Sequence, residues 1–360
     1  MTTFTIDTLT IPASITDPDA ADFIEMVRVR NEIEADVVGS RDLNYEPAEL
    51  LPYYHDEYYP QTCIVARLDG RIVGRAIYEA PIEDGATDAW LTVEVLPTFR
   101  RRGIGAALYD RLVEFAEADG RGVLQSYILH SRSTDPETLP SPTGFGSVPL
   151  ANPETRFLLA RGFRLEQVER MSRLDLPLDA DAFDRMLGDA ESKAGEYHLE
   201  RFAGPCPEKW ISGLGLLRRR MSTDAPSAGL DFAEEEWTDE RVRSHEALNL
   251  ESPRVVLTTL AVHAASGQIA GFTELSMPPE IERPVQQNDT LVLKEHRGHR
   301  LGMLLKLANL RYLDHTHPGH PAVTTFNAEE NRPMLEVNEA MGFVAVGYGG
   351  GWKKAVETAS

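Results

Sequence analysis

The sequence predicts an α/β (α+β) fold present in two copies, each a mixed, mostly antiparallel sheet flanked by helices. Three observations predict it. Strand-like and helix-like apolar patterns alternate along the chain, yet several neighbouring strands are joined by tight turns, which an all-parallel sheet excludes. A strand, an arginine-glycine turn and a helix occur at Leu91 to Gly105 and again at Asp289 to Gly302. Downstream of each, Asn152 to Phe163 and Asn331 to Phe343 read as a short helix closed by Gly-Phe.

The elements of the first copy follow in order. A strand is expected over Thr3 to Leu9, then helices near Ala20 to Asn31 and Pro47 to Tyr54. Strands Cys63 to Leu68 and Arg71 to Glu79 flank Asp69-Gly70, a two-residue hairpin signal. A strand ending at Val95, helix Ile104 to Ala118 and strand Gly122 to Leu129 come next. Breaker residues crowd Ser131 to Leu150, so a long functional or mobile loop is expected there, before the Gly-Phe helix and a strand over Arg164 to Asp175. The second copy repeats the order: a strand from Tyr197, helices Glu208 to Arg220 and Glu234 to Leu248, and paired strands Val256 to His263 and Gln268 to Leu275. Then come strand Thr290 to Leu293, helix Leu301 to His315, strand Ala322 to Asn327, helix Arg332 to Ala340 and a terminal strand pair. The expected partition is domain 1 at 1–175, a structured linker at 176–196 and domain 2 at 197–360.

Composition narrows the class. With 42% hydrophobic residues the chain can bury two cores, and its net charge of −21 argues against nucleic acid and anionic membranes as partners. An acidic surface suits an approaching cation such as an amine. Cys63 and Cys206 offer neither a disulfide framework nor metal-ligand spacing, Met1 to Pro18 shows no basic stretch followed by an apolar run, and nowhere do 18 uninterrupted apolar residues occur. A cytoplasmic protein, monomer or homodimer, is the expectation, with no metal: His315, His317 and His320 read as a solvated loop.

The turn Arg100-Arg101-Arg102-Gly103-Ile104-Gly105, entering a helix at Ala106, carries the chemistry. Backbone N–H groups at a helix N-terminus lack intrahelical partners and the helix dipole adds positive charge, so a pyrophosphate fits. The residues match neither the P-loop nor the dinucleotide fingerprint, since no Gly-Lys-Ser/Thr follows and position 108 is Leu. The order of strand, Val-x-Val-x-Pro, aromatic, Arg-x-x-Gly-x-Gly, helix, strand, Asn-containing helix and Gly-Phe resembles the GNAT acetyltransferase superfamily, twice over nearly the whole chain.

That resemblance implies acetyl-CoA as cofactor and a small-molecule primary amine as acceptor. It implies that backbone groups of Val93 and Val95 hold the pantetheine arm while Arg100 to Ala106 wrap the pyrophosphate. In the second copy Leu291, Val292, Leu293, Arg297, Gly298, His299, Arg300, Leu301 and Gly302 take these parts, with Arg300 where a glycine is expected, and Asn327 and Asn331 resemble the family's cofactor-binding amides. The usual acid and base positions hold Leu158 and Asn338, and Ala89 and Gln286. Asp224 and Asn338 therefore stand as substitute catalytic candidates. Asp224 lies in the breaker-rich stretch Met221 to Pro226, with an Asx turn or helix cap as its plainer role. The stretch Tyr53 to Tyr59 either lines the first pocket or packs as core rings. The alternative function is an acetyl-CoA-binding scaffold or sensor with one or both copies inactive.

Overall fold

The computed structural model describes residues 3–83, 85–130 and 137–356. Strand β1 (Thr5–Thr8) is followed by helices α1 (Ala21–Val38) and α2 (Pro47–Leu50), strands β2 (Gln61–Leu68), β3 (Arg71–Glu79) and β4 (Asp88–Val95), helix α3 (Ile104–Ala118) and strand β5 (Val123–His130). Short strands β6 (Thr138–Pro140) and β7 (Ser147–Pro149), helix α4 (Pro153–Leu159) and strand β8 (Arg164–Asp175) complete the first copy. Helix α5 (Ala180–Lys193) leads to β9 (Tyr197–Ala203), α6 (Ile211–Asp224), α7 (Asp239–Glu251), β10 (Val255–His263), β11 (Ile269–Met277) and β12 (Val285–Val292). Last come α8 (Leu301–Thr316), β13 (Ala322–Ala328), α9 (Arg332–Met341) and β14 (Val344–Ala355).

Local signals place many of these. Asp69 and Gly70 both have positive φ, 51° and 78°, as a type I′ hairpin turn requires. Asp179 caps α5 through Ala182 N at 2.8 Å. Three expectations are corrected. Helix α1 runs past Asn31 to Val38 and stops at Gly39, whose φ is 77°. The Asn31 amide, which made the earlier end plausible, instead bonds both polar groups of the Tyr45 backbone. Helix α7 begins at Asp239, not Glu234, because Thr238 supplies the N-cap by accepting from Arg241 N. The chain before it crosses to the first copy, where the Gln125 amide pairs with both the N–H and C=O of Asp231. The terminal strand pair is one long strand, β14. Of the expected loop, residues 131–136 lie outside the described residues; the rest forms the β6–β7 hairpin, with Val148 fully buried.

All strands except β6 and β7 join one 12-stranded sheet in the order β1-β2-β3-β4-β5-β14-β8-β13-β12-β11-β10-β9. Pairing is antiparallel except at β4–β5 and β12–β13, which are parallel and short. The two copies exchange their last strands. Strand β14 pairs with β5 of the first copy, and β8 pairs with β13 of the second. The sequence partition at 175 and 197 therefore separates the repeats but not the packed bodies. Trp352 of β14 is fully buried in the core of the first copy, and Leu174 of β8 in that of the second, where α5 also buries Leu187 and Ala190. Gly349 is what lets β14 lie there, since a Cβ on it would meet the Tyr127 hydroxyl at 1.9 Å. Arg170 of β8 clamps the seam through a two-bond pair with Glu329, at 2.9 and 2.8 Å. Trp352→Ala is expected to cost about 3–5 kcal/mol in urea unfolding. A loss under about 1 kcal/mol would show that the exchanged strand contributes little to the first core.

Candidate active site

The two parallel pairs are the origin of the site. Strands β4 and β5 pair only over Asp88–Trp90 and Val123–Gln125 and then diverge. Leu96 N bonds Val73 O at 3.0 Å, so by alternation Glu94 and Thr92 also face β3. Val93 and Val95 turn their N–H and C=O toward the gap. In the second copy Leu293 N bonds Ala270 O, which points Leu291 and Leu293 at β11 and leaves Thr290 and Val292 at the equivalent gap. The expected backbone donors Leu291 and Leu293 are thus corrected to Thr290 and Val292. Both leucines instead bury their side chains in the core beneath α6 and α7.

Beyond each gap the chain makes the same turn. Arg100 Nε bonds Val95 O at 3.0 Å and Arg297 Nε bonds Val292 O at 3.1 Å. Two residues of each turn are left-handed: Arg101 and Gly103 in the first, Gly298 and Arg300 in the second. The glycine has changed places between copies while the backbone path has not. The first helical bond of α3 is from Ala107 N to Gly103 O, so the N–H groups of Ile104, Gly105 and Ala106 have no helical acceptor. A Cβ on Gly103 would meet nothing within 4 Å and would project into open space before the turn.

The copies differ in what answers their charges. Asp224 is the last residue of α6 rather than a loop residue, and its carboxylate takes Lys294 Nζ at 2.9 Å and Arg297 at 3.5 Å. Arg300 is paired with Asp189 of α5. Three cations of the second turn thus meet two carboxylates, and Asp224 is a partner of that turn rather than an ammonium ligand; in the first turn Arg100 meets Glu154 at 3.4 Å and Asp36 at 3.9 Å. His299 packs its ring against Tyr197, Leu301 is a core residue and Gly302 faces open space. Asn331 is the N-cap position of α9, with no side-chain cap bond. Asn338 is buried, accepts from Lys306 Nζ at 2.8 Å and donates to Asn327 Oδ1 at 2.7 Å. Burial pushes the Lys306 ammonium down to about 7. Asn338 and Asn327 hold that buried lysine, which removes Asn338 as a catalytic candidate.

The first gap opens into a cavity of about 890 Å³ lined by Val93, Val95, Arg100, Arg101, Gly103, Gly105 and Ala106. Arg102 does not line it; its guanidinium bonds Thr98 O and lies over Phe99. Ile104 does not line it either, its side chain being buried in the core. The far wall holds Arg30, Glu34, Tyr45, Arg75 and Glu94 of the first copy, with Gln286 and Asn288 from β12 of the second. Tyr45 donates to Gln286 Oε1 at 2.5 Å, tying the copies together. Sequence reasoning missed Glu34. Burial pushes its carboxyl up to about 7, and Glu94 adds to the rise against the pull of Arg30 and Arg75. One oxygen takes Arg30 at 2.8 Å, while Oε2 is buried with no hydrogen-bond partner among the described residues. Glu94 is held by Arg75 Nε at 2.5 Å. Where the first copy pairs Arg75 with Glu94 across β3 and β4, the second pairs Phe272 with Leu291, and apolar packing occupies that face. Of the stretch Tyr53 to Tyr59, Tyr53 and Tyr54 line an inner chamber, whereas Tyr58 and Tyr59 stack on Arg241. His320 is buried on Arg283 O, and no group of three or more metal-binding side chains occurs among the described residues. No helix among them is long and apolar enough to cross a membrane.

Residues 30–137, which contain Glu34, Glu94 and the whole first turn, match the Acetyltransferase (GNAT) family. No curated protein matches the chain. Among solved structures, a tandem GNAT protein from the clavulanic acid biosynthesis pathway, determined without AcCoA, is 26% identical over 99% of this chain and 100% of its own, with a TM-score of 0.74. A GCN5-related N-acetyltransferase from Sphaerobacter thermophilus shares the fold at 14% identity, covering 98% of this chain and 95% of its own, with a TM-score of 0.63. A putative acetyltransferase from Pyrococcus horikoshii does so at 12% identity over 99% and 90%, with a TM-score of 0.53. The twice-built sheet, the paired arginine-glycine turns and these likenesses agree: residues 30–137 form a GNAT acetyltransferase domain, and the whole chain is similar to a tandem GNAT protein.

Proposed function

We propose that the first copy transfers an acetyl group from acetyl-CoA to the primary amine of a small molecule, with Glu34 as general base, and that the second copy serves as wall and support. The observation that carries this is one continuous cavity joining the first turn to a carboxylate with a pKa near 7. The family implies acyl-CoA chemistry, and the first turn suits such a group. Free N–H groups at the start of α3 and open space before Gly103 suit a pyrophosphate, and the exposed edges of Val93 and Val95 suit an amide-bearing arm. When bound, the cofactor supplies an acyl thioester.

The protein's own groups then act as follows. An ammonium entering beside Glu34 and Glu94 is held by charge, and the Glu34 carboxylate, which lines the cavity, takes its proton. An ordinary glutamate near 4.3 is about six units below an alkylammonium near 10.4; at about 7, Glu34 closes nearly half of that gap. The N–H groups of Val93 and Val95, turned toward the gap, would be the donors for negative charge developing on a transferred carbonyl bound there. The scaffold reading is favoured for the second copy alone, where Phe272 and Leu291 stand in place of Arg75 and Glu94.

Two measurements test this. Titration calorimetry is expected to give one acetyl-CoA per chain; two equal sites would refute the division of labour. Release of free thiol from acetyl-CoA across a panel of small amines should show turnover, and its absence with every amine would sink the enzymatic assignment of the cavity.

A further inference from the structure

We propose that the accepted amine also carries a carboxylate, held in the inner chamber against Arg30, Arg75 and Arg254. This rests on the reading of the cavity as the acceptor site and adds the acceptor's chemical class. The chamber is about 370 Å³ and shares Arg30, Tyr45 and Arg75 with the main cavity, so one molecule can span both. The charged groups of its wall are those three guanidinium groups, set among phenols and neutral amide and hydroxyl side chains. Among the described residues no carboxylate lines it.

The acids that answer the arginines stand elsewhere. Glu34 pairs with Arg30 on the main-cavity side and Glu94 with Arg75. Arg254, brought in by the second copy ahead of β10, has only Glu49, which is fully buried and shared with Arg283. Arg283 has Glu280 as well, so each arginine is answered by an acid, but Glu49 and Glu280 stand outside the chamber wall, which presents guanidinium groups at this end, while Glu34 and Glu94 line the main cavity at the other. A cationic amine fits one end and an anion the other. A carboxylate matches guanidinium forks, and it would relieve the cost of gathering arginines in a half-buried space. The overall charge of −21 favours a cation at the surface; the chamber selects for an anion inside.

The test compares ω-amino acids from glycine to 6-aminohexanoate with alkylamines of matched length, using thiol release and the full-length protein. At one chain length or more, kcat/KM for the amino acid should exceed that of its partner by at least about tenfold. Arg254→Gln should bring that ratio toward one, and if that variant does not fold, Arg254→Lys, which keeps the charge and loses the planar fork, should lower it about threefold. Alkylamines accepted as well as their partners would overturn the proposal while leaving the acceptor-site reading intact. An aminoalkylphosphonate preferred over every carboxylate would overturn it in favour of a phosphate-like group. If no amine turns over, the acceptor-site reading fails, and calorimetry in the presence of CoA still decides the inference: 6-aminohexanoate must bind more tightly than hexylamine, and equal binding refutes it.

Discussion

Glu34→Gln is expected to lower kcat/KM by about 10²–10³-fold with little change in stability, because the amide keeps the shape but cannot take a proton. The pH profile separates this from mere damage. In the native chain Glu34 must be ionised to act, so log kcat/KM should rise with pH and level off near the carboxyl's value of about 7. The variant should lose that limb entirely. Since the rise in Glu34 is caused first by burial, Glu94→Gln is predicted to move the limb to lower pH by removing a neighbouring negative charge, rather than to abolish it. An unchanged profile in Glu34→Gln would assign the base elsewhere.

The second large effect concerns the turn. Gly103 is the N-cap of α3 at φ 85°, a conformation that costs a β-branched residue about 1–2 kcal/mol, and its missing Cβ leaves clear the space a pyrophosphate must enter. Gly103→Val should therefore weaken acetyl-CoA binding by at least about 100-fold in calorimetry, since both the backbone approach and the N–H geometry are lost. Arg300→Val is the control. It puts the same kind of side chain at the equivalent left-handed N-cap of α8, φ 56°, so it carries a comparable strain but leaves the first site untouched. Equal loss of affinity in the two variants would mean that strain, not access, explains the first, or that the second turn also binds.

These two residues mark the limits of sequence reading. The turn was legible because it is local: a strand, a few residues and a helix lie within a single stretch from Leu91 to Ala118, and the conformations of Arg101 and Gly103 follow from short-range sterics. Glu34 was not. The helix expected to end at Asn31 left it outside any element, and nothing along the chain brings it to Glu94 and Arg75, which sit on separate strands. The substitutes chosen from sequence had the right residue types, but Asp224 is already paired by Lys294 and Arg297 and Asn338 by Lys306. A polar side chain advertises its chemistry in sequence, but not whether a neighbour has already satisfied it.

The same division holds for the architecture. The sequence by itself determined the repeat, the element types and both arginine-glycine turns, because periodicity, hairpin residues and helix caps act over a few residues. Only the tertiary structure decided that β8 and β14 are exchanged, that Trp352 belongs to the first core and that Gln286, Asn288 and Arg254 complete the pocket of the other copy. Strand pairing over such separations is chosen by which faces bury the most apolar surface, a sum over both copies at once, and no single stretch of the chain contains it.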